Sequence, residues 1–385
     1  MKFCSAISQH PDYRNAAGEV TGEILEKMGR FKGVAFLFVT PHYIDDITKA
    51  ISLIDEILAP HVLCGMLSTG VIGTNQEVEF GPGISLMTAD FDALSAVEFS
   101  SWDLFTQDIK NLINSKLSEA HKALGTDPSL ALVFTTKDFP YNELIDALVD
   151  EFAQCIVAGG ISPYQSDLGS MLFLGKNLIS RGAIVIFIAT KYNVKEVIAM
   201  GAKAVGQRLT ITKAHNFLIE ELAGKKAIDK LILMASETLT PYEIREVNSN
   251  GLFLALFDEQ RGEKNSMSLS QVLGTMPSNG AIAVSLPVHV GQSAQFYVRD
   301  ADFASNEITT LLQNKTAEAA LIFSSHLRGT NLFKKPHHDA RAILNAIGYK
   351  PTCGCFTATE FAKISKRASI NNLSSTIVLF NDTDN

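Results

Sequence analysis

The sequence predicts an α/β (α+β) layered sandwich in two lobes, built from repeated strand-helix-strand units whose mixed sheets are covered by helices. One unit recurs three times between Val34 and Phe380: an apolar strand ending in small hydroxylated residues, a helix, and a second strand ending at a Gly and Ser/Thr cluster. The strands VAFLFV, LALVF, AIVIFIA and AALIF are continuous apolar runs, as expected where both faces of a sheet are covered, with helices outside and sheets inside. At 385 residues the chain also exceeds the roughly 250–300 that a single core serves, so two domains are expected.

Taken in order, Asp12 to Met28 sets Ala16, Ala17, Val20, Ile24, Leu25 and Met28 at helical spacing, with Asp12 as N-cap and Gly29 as stop. The first copy follows as VAFLFVTPHY, an amphipathic stretch Ile44 to Leu58, and VLCGMLSTGVIGTNQEVEFGPGISLM. A long helix from Asp103 to Leu124, with Leu104, Phe105, Ile109, Leu112, Ile113, Leu117 and Ala120 on one stripe, separates it from the second copy. That copy runs LALVFTTKDF, a helical stretch Leu144 to Phe152, and CIVAGGISPYQSDLGSMLF. Gln207 to Gly224 reads as a β-hairpin turning at His215-Asn216, and the helix KAIDKLILMA follows. GLFLALFDE, GAIAVSLPV and QSAQFYVRD are then three antiparallel strands, and Phe303 to Leu312 is a helix. The third copy is AALIFSSHLRGTNLF, a helix Asp339 to Ile347, CGCFTATEF and a closing strand TIVLF. A junction near Thr190, where the second copy's last strand ends, divides the chain into lobes 1–190 and 191–385.

Composition excludes several function classes. A net charge of -8 with no basic stripe argues against nucleic acid or an anionic membrane as partner. The clusters Lys225-Lys226 and Lys363 to Arg367 read as solvated faces. Val34 to Val39 and Ala183 to Ala189, the longest apolar runs, fall far short of the roughly 20 residues that span a bilayer. Gln9, His10 and Asp12 arrive too early for a secretory signal. Five cysteines, an odd number set in apolar strands, point to buried reduced thiols rather than a disulfide framework. The expectation is a soluble cytoplasmic protein.

Several separate segments resemble the FIST family, a sensory-domain family with an N-lobe and a C-lobe. In the first lobe these are Gly65, Gly70, Val71, Gly73 and Glu79, in a Gly-rich turn before an acidic strand. In the second they are Gly201, Val205-Gly206-Gln207, Thr212, Ala214, Ile219 to Leu222, Gly224 and Ala227, then Gly291, Phe296, Arg299 and Asp300. FSSHLRGTNLFKKPHHDARAI supplies Phe323, Arg328, Gly329, Phe333, His338 and Asp339. The chain departs from the pattern where the family has Gly-Glu-Ile-Gly-Pro: here stand Ala358-Thr359-Glu360-Phe361-Ala362, and of that motif the glutamate alone is kept. Ser325 replaces the usual Cys, and Ile370-Asn371 stands where the family has Phe-x-His. The resemblance implies a sensory protein that binds a small polar, amino-acid-like metabolite in a cleft between lobes and signals to a separate output protein. It also implies two alternatives: an interaction scaffold like the relatives fused to F-box modules, and a haem-based gas sensor.

Candidate ligand-binding residues are Arg328, Gly329, Glu360, Arg299 and Thr212. Arg328 offers a planar fork for a carboxylate and Gly329 allows close backbone approach; the competing reading pairs Arg328 with Asp339 to fix the loop on its helix. Glu360 follows an apolar strand and could receive an amino group, or belong to a structural ion pair. Arg299 closes a strand, with Asp300 as N-cap of the next helix. Thr212 is either a ligand contact or a plain β-former. No nucleophile elbow and no phosphate loop appear, so no catalytic residue is assigned. His337-His338 and Cys353-Gly354-Cys355 lack the partners of a tetrahedral metal set, and no metal is assigned. For haem, His10, His42, His61, His121, His215, His289 and His326 remain open as ligands, although no Cys-x-x-Cys-His attachment sequence occurs.

Overall fold

A parallel pair of strands needs a crossover, and in each repeat the helix supplies it. The computed structural model describes residues 3–106, 108–163, 169–257, 267–364 and 367–382, with the side chains of 364, 367 and 368 excepted. In the first copy β2 (Val34–Val39) pairs in parallel with β3 (Val62–Leu67) across α2 (Ile47–Leu58). The second copy pairs β8 (Leu130–Thr135) with β9 (Ile156–Ile161) across α4 (Tyr141–Glu151). The third pairs β21 (Ala319–Ser325) with β22 (Thr352–Thr357) across α9 (His338–Ile347). Helix α2 shows why the pattern folds this way: Ile47, Ala50, Ile51, Ile54 and Leu58 recur at helical spacing and are its buried face.

Beside the first strand of each pair lies an antiparallel neighbour: β6 (Ile84–Ala89), β12 (Ala183–Ala189) and β25 (Ser375–Asn381). Outer edges are β1 (Phe3–Ser8), β7 (Ala93–Phe99) and β13 (Asn193–Ala199). The remaining side of each sheet is closed by a hairpin, and these hairpins are exchanged. After β3 the chain makes β4 (Val71–Gly73) and β5 (Glu77–Val78), which extend the third sheet beside β22. After β9 it makes β10 (Leu172–Leu174) and β11 (Asn177–Ile179), which extend the first sheet beside β3. After β22 it makes β23 (Thr359–Ile364) and β24 (Arg367–Asn371), which extend the second sheet beside β9. Each repeat thus completes a sheet belonging to another, in a closed cycle of three.

The inner faces meet at three equivalent phenylalanines. Phe38, Phe134 and Phe323 each occupy the fifth residue of the first strand, and their ring centroids lie 5.9, 5.9 and 5.8 Å apart. Edge-to-face and tilted contacts at this range are the favoured aromatic geometries. Around them the core continues through Phe36, Cys64, Met66, Val71, Leu132, Leu172, Leu321 and Cys355. All five cysteines are free and buried, with burial pushing the Cys155 and Cys353 thiols up to about 12.

Contacts divide the chain into Met1–Ile198 with Ile308–Ala368 and Ser375–Asn385, and Ala199–Glu307 with Ser369–Ser374. All three copies belong to the first unit, so the compact units do not follow the chain order of lobes 1–190 and 191–385. The second unit is an antiparallel sheet: β14 (Ala202–His215), β20 (Ser293–Arg299), β17 (Phe253–Phe257), β18 (Met267–Met276), β19 (Ala281–Val284), β15 (Leu218–Leu222) and β16 (Lys225–Lys226). Strand β14 pairs with β20 along its first part and with β15 along its last, so the sheet closes on itself. Helices α5 (Ala227–Thr238) and α6 (Pro241–Asn250) belong to this unit, and α7 (Ala301–Leu312) carries the boundary between the two.

Several expectations need correction. The helix expected from Asp103 begins as a short 3-10 turn Asp103–Phe105, and α3 (Ile109–Leu124) starts anew because the Asp108 side chain accepts the Asn111 amide. Phe105 consequently lies outside the helix, 76% exposed. The helix expected from Ile44 likewise opens as a 3-10 turn Pro41–Asp46. Helix α6 and strand β18 were not anticipated, although Thr240 and Glu243 form a capping box legible as Thr-Pro-Tyr-Glu. Helix α1 (Tyr13–Met28) has the expected Asp12 cap, and α8 (Gly329–Phe333) is a single further turn. Residues 164–168 of the second copy, Asp258 and Glu259 of the expected strand, and 365–366 of the basic cluster lie outside the described residues.

Candidate functional site

Residues paired across a sheet point to the same face, so the three phenylalanines define three equivalent rows. One row reads Phe38, Met66, Leu172; another reads Phe323, Cys355, Val71. The third reads Phe134, Gly160, Glu360. Glu360 therefore stands where the other rows carry Leu172 and Val71, and all three are fully buried. Desolvating a carboxylate costs several kcal/mol, whereas burying an aliphatic side chain gains about 1.5–3 kcal/mol, so packing alone does not select glutamate here.

The row is adapted to its carboxylate. Gly160 has no side chain, and a Cβ there would come within 2.9 Å of Thr357 Cγ2. Thr357 occupies that room and donates its hydroxyl to Glu360 Oε1 at 2.7 Å. Thr376 pairs with Phe323 and faces the same interior. Its hydroxyl is fully buried and has no hydrogen-bond partner among the described residues, which is uncommon in a folded core.

Arg328 belongs to a second cluster, which packs on the third sheet on the side that faces α9. Its Nε donates to Asp339 Oδ2 at 2.8 Å and its Nη2 to Oδ1 at 3.0 Å, with both residues buried. Ser324 Oγ donates to the same carboxylate at 2.8 Å, which turns Ser324 toward α9. Thr357 pairs with Ser325, the next residue along, so Glu360 and Arg328 are separated by the strand backbone. The two do not hold opposite ends of one ligand. Burial alone would raise the Asp339 carboxyl, but the Arg328 guanidinium and the His338 ring hold it well below the usual carboxylate range. His338 also stacks on Phe333 with ring centroids 3.4 Å apart.

Gly329 opens α8 at a φ of +56°, the left-handed region that favours glycine, and a Cβ there would strike the Glu79 carboxylate. Glu79 accepts the Thr330 amide at 3.0 Å. Glu77, on the same exchanged hairpin, accepts the Ala340 amide at 2.9 Å. Sequence reading missed Thr357, Thr376, Gly160 and Glu77. One signal was present: Val71 and Glu360 each follow Met66 and Cys355 by the same interval.

The other two candidates lie in the second unit. Arg299 ends β20 opposite Ala202 and is 1% exposed, and Asp300 caps α7 by accepting the Phe303 amide at 2.8 Å. Thr212 is exposed and accepts the Gly224 amide at 2.9 Å. Ala202 and Thr212 stand near opposite ends of β14, about 30 Å apart along the strand, so Arg299 and Thr212 do not share a pocket. Lys363, read as part of a solvated face, instead donates to the carbonyls of Phe152 at 3.0 Å and Cys155 at 2.9 Å, closing the turn after α4. None of the nine histidines is buried, so the residues present do not fit an axial haem ligand sunk in the fold. Among the described residues no group of three or more His, Cys, Asp or Glu is placed to hold a metal ion, and no helix is long and apolar enough to cross a membrane.

Three exchanged α/β repeats with one polar row, and a closed antiparallel sheet that lies in the chain between the second and third of them, define the class. The FIST N domain matches residues 33–225 and the FIST C domain residues 235–363, so the chain belongs to the FIST family. Such domains are associated with sensory signal transduction. The chain is similar over nearly its whole length to uncharacterized protein Rv0628c of Mycobacterium tuberculosis, 24% identical over 396 residues covering 99% of this chain and 100% of that protein. It is likewise similar to uncharacterized protein Mb0898c of Mycobacterium bovis, 25% identical over 394 residues covering 99% of each.

Proposed function

We propose that this chain is the receptor of a FIST-type signalling system, and that a small polar metabolite binds on the inner face of the three-repeat unit against Glu360. The observation that carries the reading is the substitution of a carboxylate for Val71 and Leu172 in one of three equivalent rows. Sequences depart from good packing chiefly where function requires it. A carboxylate has about four acceptor positions, which suits a ligand presenting an amino group or several hydroxyls. The buried Thr376 hydroxyl adds a second polar contact on that face. With Arg328 engaged by Asp339, the ligand needs no carboxylate of its own.

Binding without turnover is the proposed activity. A ligand that binds one arrangement of the strands better than another shifts the population toward it, and a separate output protein reads that shift. The test is thermal unfolding against a metabolite library containing amines, amino acids and polyols. A ligand at a hundredfold excess over its Kd stabilises the native state by about 2.7 kcal/mol. Glu360→Gln, which keeps the shape and removes the charge, is expected to abolish the shift. A saturable shift of the same size in Glu360→Gln would reject Glu360 as the ligand contact.

A further inference from the structure

The β4–β5 hairpin carries two carboxylates that take no part in the Glu360 row. It leaves the first repeat and grips the third at both helix starts. Glu79 accepts the Thr330 amide at 3.0 Å and the Thr330 hydroxyl at 2.9 Å beside α8. Glu77 Oε1 accepts the Ala340 amide at 2.9 Å in the first turn of α9, while the Glu77 amide donates to His337 Nδ1 at 2.9 Å. Glu77 is 4% exposed, and its Oε2 has no hydrogen-bond partner among the described residues. Asp339 precedes Ala340 in the same turn, is buried too, and already takes Nε and Nη2 of Arg328. Two buried carboxylates therefore sit at the first turn of α9, and the Arg328 guanidinium pairs with Asp339.

We propose that the β4–β5 hairpin is a proton-linked latch, closed on the third repeat while Glu77 carries a proton and released when that proton leaves. A neutral carboxyl tolerates this burial, whereas an ionised one sets a second negative charge beside Asp339. Burial first, and then the Asp339 charge, push Glu77 up to about 8, with Glu79 acting in the same direction and the Ala340 amide against it. The other charged groups on the surrounding elements fit this assignment. Asp339 stays ionised through Arg328 and accepts from His338 Nδ1 at 2.9 Å. His337 accepts the Glu77 amide on Nδ1. Lys334 and Lys335 are exposed. On β22, beside β4, burial keeps the Cys353 and Cys355 thiols protonated. Toward β1 the hairpin's Thr74 hydroxyl meets that of Ser5.

Because the closed form holds the Glu77 proton more tightly than an open form with an ordinary carboxyl, it binds more protons between the two values. Closure is therefore favoured at lower pH and lost as pH rises through about 8. Hydrogen exchange of the full chain between about pH 5 and 9.5, corrected for intrinsic rates, reads this directly in peptides covering 71–80 and 328–341. Protection at Thr330 and Ala340 is expected to fall by up to about tenfold per pH unit as pH rises toward about 8 and to level off above it, while β2, β8 and β21 hold. Glu77→Gln, neutral at every pH, is expected to keep that protection flat. Glu79→Gln is expected to lower protection throughout yet leave the pH profile in place. Wild-type protection that stays flat between about pH 5 and 8 overturns the proposal, as does a Glu77→Gln profile that falls like wild type. Should Glu77→Gln fail to fold, the wild-type and Glu79→Gln profiles decide.

Discussion

Replacing Arg328 by methionine tests whether its guanidinium is a structural partner or a ligand receptor. Arg328 and Asp339 have side-chain exposures of 0% and 1%, with two short contacts between them. Arg328→Met leaves the Asp339 charge in the interior, and Asp339→Leu leaves the guanidinium there. Breaking a buried pair from one side costs about 3–5 kcal/mol. The double variant removes both charges. Methionine can lie over Phe333, where the guanidinium carbon now sits 5.2 Å from the ring centroid, and the main loss is the Ser324 hydroxyl's acceptor, about 1–2 kcal/mol. Two single losses of about 3–5 kcal/mol against about 2 for the pair give a coupling energy of about 4 kcal/mol or more. Urea unfolding followed by hydrogen exchange in β21 and α9 scores the first unit by itself, which matters in a chain of two units. Single losses under about 1 kcal/mol that simply add would refute the reasoning, because the guanidinium would then be solvated and available to a ligand.

Two further outcomes are expected from the same unit. Phe38→Ala, Phe134→Ala and Phe323→Ala should each cost about 3–5 kcal/mol by denaturant titration, since the three rings see equivalent surroundings; tolerance at any one of them would count against the three-row core. Gly329→Ala should cost about 2 kcal/mol, combining a left-handed backbone with displacement of Glu79, and a thermal midpoint equal to wild type would show that the turn is not held as described.

Glu360 and Arg328 show how much of the site was legible. Residue type and neighbourhood single out both, and the pairing of Arg328 with Asp339 is one of the two readings that the sequence offers. Their expected convergence was not met, because strand residues alternate between faces: Ser324 turns to α9, while Phe323 and Ser325 turn inward. The meaning of Glu360 was hidden for a different reason. Its equivalents Val71 and Leu172 became comparable once the hairpins were seen on their host sheets.

The sequence by itself determined the alternation of apolar strands and helices, the threefold recurrence, the burial of the cysteines and the Asp12 and Asp300 caps. These depend on spacing within a few residues, where periodicity and side-chain chemistry act directly on the backbone. Tertiary structure alone decided that each hairpin leaves its own repeat, that Glu360 completes a row begun by Phe134, and that Glu77 of one repeat meets the first turn of α9 in another. Those outcomes depend on which distant strand edge offers the better register and burial, and hydrophobic pattern along the chain is the same for either host.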